Sequence, residues 1–137
     1  MSAWMWVTLA STRSGTDGWG VTFPALVKAF EDADGKPGHL PVYVDHDRAK
    51  APVGFLVGWV ADPQSQTIRG VLQVRDDSTI LRVAHRELLD VSLEFMAKRA
   101  HRDEIGHTIV DEMEMYNIAL VHDGADPLAT IHEVILS

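Results

Sequence analysis

Strand-like runs follow one another along this chain with few helices between them, and that order limits most severely the folds open to it. Residues 53–60 and 67–74 both alternate like strands and are separated only by Asp62-Pro63-Gln64-Ser65, whose proline suits the second position of a turn. Residues 4–10, 40–44, 91–98 and 109–121 add further strands, the last long enough to bend, and residues 129–136 form a terminal strand or helix. Two helices interrupt the series. Phe23, Leu26, Val27 and Phe30 recur at helical spacing behind Pro24, and a second helix runs from a cap at Ser78 to about Leu89 with Ile80, Leu81, Ala84 and Leu88 on its inner face. A doubly wound parallel sheet would require strands to alternate with helices. The pattern instead predicts a mainly β, α+β fold, a mostly antiparallel seven-stranded barrel with flanking helices. The 137 residues suit a single domain, 1–137.

The connections carry turn chemistry. Residues 11–20 are rich in Ser, Thr, Gly and Asp and read as a loop, Asp34-Gly35-Lys36-Pro37-Gly38 ends the first helix, residues 100–106 form a polar link, and Asp123-Gly124-Ala125-Asp126-Pro127 is a turn. Trp4, Trp6 and Trp59 read as core or barrel-wall residues. Residues 1–10 are apolar, but they lack a basic start and alternate Trp4, Trp6 and Thr8 against Met5, Val7 and Leu9, which marks a strand and not a targeting segment.

Composition narrows the function. Twelve basic against 20 acidic side chains give a net charge of -8, which argues against nucleic acid or an anionic membrane as partner. Without cysteine there is no disulfide, thiol nucleophile or Cys-ligated zinc. The specific chemistry lies in Val91-Ser92-Leu93-Glu94-Phe95 and Asp45-His46-Asp47. Val91, Leu93 and Phe95 can anchor one strand face in the core, so that Ser92 projects from a rigid element on the other. A histidine delivered by a neighbouring strand then completes a nucleophile and its base. On a flat strand Glu112 and Glu114 share a face opposite Asn117, a face open to solvent, and the spacing leaves open whether Glu114, Glu112 or neither orients His46. A metal site built from Asp45, His46, Asp47, His122, Asp123 and Asp126 is the rival constellation, although no pair of histidines has a tight ligand spacing.

The order of these features resembles the tailed-phage prohead proteases, serine peptidases related in fold to herpesvirus assemblin. The resemblance covers nearly the whole chain. It runs from Asp17-Gly18-Trp19-Gly20 and Pro24-Ala25-Leu26, through Tyr43-Val44-Asp45-His46-Asp47 and Pro52-Val53-Gly54, to Val91-Ser92-Leu93-Glu94-Phe95, residues 115–121 and Asp126-Pro127-Leu128-Ala129. It implies an assemblin-like barrel with Ser92 as nucleophile and His46 as general base, and Glu114 as the third member, an acidic residue on the strand after the nucleophile. It further implies capsid and scaffold proteins as substrates, a homodimer, no cofactor and no metal, and a place in the host cytoplasm within the immature capsid. Two residues depart from the pattern. Asn117 replaces a glutamate, and Glu94 stands where glycine is preferred, on the same strand face as Ser92, where a carboxylate would crowd the site or oppose an oxyanion. Those departures raise a second expectation, a catalytically inactive assembly module on the same barrel. Arg99 and Arg102 are the arginines near enough in sequence to serve the oxyanion.

Overall fold

The computed structural model describes residues 1–12, 18–34 and 40–137. The predicted loop at 13–17, with Gly15 and Asp17, lies outside the described residues, as do the helix-ending Gly35-Lys36-Pro37-Gly38 and His39. Eight strands and two helices are present among those described: β1 (Ala3–Ser11), β2 (Trp19–Val21), α1 (Phe23–Asp34), β3 (Pro41–Val44), β4 (Gly54–Asp62), β5 (Thr67–Val74), α2 (Asp77–Ala84), β6 (Asp90–Arg102), β7 (Thr108–Val121) and β8 (Ile131–Leu136). The class is α+β and mainly β.

The eight strands form one mixed sheet in the order β2-β7-β3-β4-β5-β1-β8, with β6 pairing β7 off that path. Two points differ from expectation. First, β2 makes an eighth strand inside the predicted loop, because Trp19–Val21 finds a parallel partner in residues 108–110 of β7. Second, the sheet does not close into a barrel: β6 and β8 meet only at the Asp90–Thr130 bridge and its flanking backbone bonds, Val91 N–H to Ala129 O and Ile131 N–H to Leu89 O. Five of the strand pairs are antiparallel, but β2 and β3 both run parallel to β7.

Strand β1 shows why the alternation matters. Met5, Val7 and Leu9 are fully buried, while Trp4 and Trp6 lie on the opposite, outer face and are 36% and 39% exposed, so of the two places expected for them, core or wall, they do not take the core. Helix α1 buries Leu26, Ala29, Phe30 and Ala33 against the sheet, and Phe30 meets the ring of Trp59 at 5.6 Å. Thr22 Oγ1 accepts from Ala25 N–H at its start. At Gly54, where β3 pairs β4 (Val42 opposite Gly54), a Cβ would fall 2.0 Å from the Gln73 carbonyl oxygen. Only glycine lets β5 approach that closely, and the packing fixes the strand that delivers His46.

Strand β7 is the axis of the site. Its C-terminal half is flanked on one edge by β3 (Tyr43 opposite Ala119) and on the other by β6 (Ser92 opposite Ala119). Strand β6 is longer than expected and takes in Ala100, His101 and Arg102, because β7 offers pairing partners along its whole length. Pairing moves from Glu94–Asn117 to Phe95–Met115, so Tyr116 is an extra residue in β7.

Helix α2 is capped two residues earlier than Ser78 and ends sooner than Leu89. Asp76 is the cap: its carboxylate accepts from Thr79 N–H at 3.0 Å and Thr79 Oγ1–H at 2.6 Å. Arg86, at φ 62°, breaks the helix after Ala84, leaving Leu81 outward and 50% exposed while Leu88 enters the core from the following turn. The Thr79 bonds lower the Asp76 pKa below its usual 3.8. A carboxylate bonded in this way stabilises the fold above its unfolded pKa and loses that contribution as pH falls through the lower folded value. Asp76→Ala is therefore expected to cost about 1 kcal/mol in urea unfolding at pH 7, and the difference from wild type should shrink below about pH 4.

Candidate active site

His46 stands just beyond the end of β3, in a turn built to aim it. Asp45 N–H continues the β3–β7 pairing by donating to Leu120 O at 3.1 Å, and Asp47 N–H closes back on Val44 O at 3.0 Å. Between them Asp45 and His46 adopt φ values of 53° and 57°. That left-handed region is costly for residues with a Cβ and is held only where the surroundings fix it. Two successive left-handed residues turn the chain sharply back, and the His46 ring crosses over β7 toward β6.

There it meets Ser92. Val91 is fully buried and Leu93 and Phe95 pack against the core, with Phe95 also contacting Trp19 at 5.6 Å between ring centres. Alternation then turns Ser92 and Glu94 to the other face. His46 Nε2 lies 2.9 Å from Ser92 Oγ, and His46 Nδ1 lies 3.2 Å from Asn117 Oδ1. An amide oxygen only accepts, so Nδ1 carries the hydrogen, and in the neutral ring Nε2 keeps a lone pair for the Ser92 hydroxyl. This is the donor order a general base requires. Asn117 is 1% exposed, and its other amide atom is also bonded, Nδ2 donating to Glu94 Oε1 at 2.8 Å. Burying the amide is tolerable for that reason; an unpaired buried donor costs about 1–3 kcal/mol. Arg48 Nη1 sits 3.3 Å from the same Glu94 oxygen.

Ser92 and His46 are thus brought together from distant parts of the chain, and the third expected residue is not. Glu114 lies three positions before Asn117, about 10 Å along the strand, and its carboxylate pairs with Lys98 at 3.3 Å. Glu114 also lines a cleft against α1 with Lys28 and Asp32, and Glu112 is exposed on the rim of that cleft. Both His46 nitrogens are already engaged, Nδ1 by Asn117. The Glu94 carboxylate is bonded to Asn117 and paired with Arg48. Arg99 and Arg102 are exposed at the far end of β6, with Arg99 about 23 Å from Ser92 along an extended strand. Arg48, two residues after His46, is the arginine that reaches this site through Glu94. Sequence reasoning misses Arg48 as a site residue, and it singles out Asn117 only as the replacement of a glutamate and not as the partner of His46.

The rival metal set is dispersed. Asp126 accepts from Ser11 N–H, Ser11 Oγ–H and Leu128 N–H, His122 Nδ1 faces Glu87 O, and Asp47 accepts from Ala49 N–H. Among the described residues no three His, Asp or Glu side chains are grouped to hold a metal ion, and no helix is long and apolar enough to cross a membrane. A cavity of about 80 Å³ lies against the same stretch of β6, lined by Ser92 together with Leu9, Trp19, Val21, Leu93 and Phe95. No family model, no curated protein and no solved structure matches this chain.

Because His46 bonds to Ser92 and to Asn117, its ring passes over Ala119, the fully buried residue between Ser92 on β6 and Tyr43 on β3. Ala119→Leu would fill that space. It is expected to cost about 1–3 kcal/mol in stability, and a crystal structure of the variant should show the ring displaced and the Ser92–His46 bond broken.

Proposed function

We propose that this protein is a serine endopeptidase of the prohead-protease type, cleaving scaffold and capsid proteins within an immature phage capsid in the host cytoplasm, and acting as a homodimer. The observation that carries the reading is the 2.9 Å contact between Ser92 Oγ and His46 Nε2, in an arrangement where Asn117 Oδ1 dictates the tautomer. Ser92 Oγ attacks the scissile carbonyl carbon as its proton passes to His46 Nε2. The C–N bond then breaks as Nε2 returns that proton to the leaving amine nitrogen, and water, deprotonated by the same nitrogen, clears the acyl-enzyme. A neutral amide is a sufficient orienting residue, as the Cys-His-Asn arrangement of other peptidases illustrates. The assemblin-like barrel belongs to this proposal: β6 and β8 already meet at the Asp90–Thr130 bridge, where closure would occur.

The alternative is an inactive assembly module, and it draws its support from Glu94 and Asn117. These two departures from the prohead-protease pattern are direct partners across the β6–β7 ladder and share a hydrogen bond. They constitute one coupled change and not two independent losses, which favours the active reading. Co-expression with the capsid and scaffold proteins of the same phage tests it. Wild type is expected to process them, and Ser92→Ala, while keeping its fold by circular dichroism, should reduce processing by about 10⁴-fold or more. Equal processing by the variant would reject Ser92 as nucleophile, and no processing by wild type would favour the assembly module.

A further inference from the structure

We infer that Glu94 is a positioning residue: it fixes the rotation of the Asn117 amide and, through that amide, the tautomer of His46. The inference deepens the hydrolase reading and rests on it for its catalytic meaning, although the positioning itself does not.

The physical problem is that an amide has two faces. Turned one way, Asn117 presents an oxygen to His46 Nδ1; turned the other way, it presents an N–H₂. The second orientation would demand a lone pair at Nδ1, place the ring hydrogen on Nε2, and aim that hydrogen at Ser92 Oγ. In that state the ring cannot take the serine proton. Glu94 removes the ambiguity. A carboxylate only accepts, and its Oε1 lies 2.8 Å from the far atom of the Asn117 amide, so that atom must be the nitrogen and the near atom the oxygen. Arg48, 3.3 Å from the same Oε1, keeps the carboxylate over the site from the solvent side.

The sequence position serves this end. Glu94 lies two residues after Ser92 on the same face of β6, and it pairs directly with Asn117 across the ladder. The bulge at Tyr116 begins immediately after that pair, so the pairing of Glu94 with Asn117 belongs to the regular ladder that also places Ser92 opposite Ala119. A chain running Arg48–Glu94–Asn117–His46–Ser92 results, in which each member has one direction of donation.

The test is a donor swap. Glu94→Gln is close to isosteric but offers an N–H₂ as well as an oxygen, so Asn117 can turn over. Asn117→Asp alone would face one carboxylate with another. Combined, E94Q and N117D restore a single direction, because the carboxylate introduced by N117D accepts both from His46 Nδ1–H and from the amide introduced by E94Q. Histidine ¹⁵N chemical shifts report the tautomer directly and need no substrate. Wild type and the double variant are expected to hold His46 in the Nδ1–H form, and Glu94→Gln to populate the Nε2–H form. The rate of capsid-protein cleavage should fall about 10- to 100-fold in Glu94→Gln and recover in the double variant. An unchanged tautomer in Glu94→Gln, or a double variant no better than the single one, overturns the inference. If the tautomer responds as stated while wild type cleaves nothing, the positioning role stands and the hydrolase reading is the part that fails.

Discussion

Everything at this site depends on β7 being paired along both edges at once. Parallel pairing with β3 fixes where His46 leaves the sheet, and antiparallel pairing with β6 fixes where Ser92 stands, with Ala119 the common neighbour of both registers. A register slip of one residue in β6 would turn Ser92 into the core and Val91 outward. The fully buried Val91, together with Leu93 and Phe95 against the core, makes such a slip expensive, because each large apolar side chain is worth about 1.5–3 kcal/mol when buried. Core packing and the placement of Ser92 are therefore the same constraint seen from the two faces of one strand.

The polar face opposite shows how a buried amide can replace a buried charge. An ionised carboxylate next to His46 in an interior position would need extensive compensation. Here the carboxylate of Glu94 sits one residue further out, where Arg48 and solvent reach it, and Asn117 occupies the buried place with both ends of its amide bonded. The left-handed pair Asp45–His46 is the strained element of the design, held by the bonds of Asp45 and Asp47 to the neighbouring backbone.

Much of this is legible in the sequence, for identifiable reasons. Strands with one buried face announce themselves by alternation, so β1, β3, β4, β5 and β7 fall close to their expected bounds, and the same alternation singles out Ser92. His46 can be found because it ends an apolar run. What cannot be read is whatever depends on pairing between distant segments. The resemblance to the prohead proteases assigns the orienting role to Glu114, but the partners across the ladder are Glu94 and Asn117, and the bulge at Tyr116 sets Glu114 beyond them, beside Lys98. In the sequence Asn117 reads as a lost acid, since a lone asparagine carries no sign of the carboxylate bonded to its far end. Strand β2 is too short to show a period, and it exists because β7 presents an edge to it. The closed seven-stranded barrel is expected but not found for a related reason: closure is decided by whether the last pair of edges forms a full ladder, and β6 and β8 form one bridge.

The central claim is that Ser92 Oγ is a nucleophile because His46 accepts its proton. Labelling with a fluorophosphonate, followed by peptide mapping, measures this without knowledge of the substrate. The account predicts a single adduct on Ser92, whose formation collapses in His46→Ala. An intact, folded protein whose Ser92 stays unlabelled, or labels equally well without His46, would contradict it.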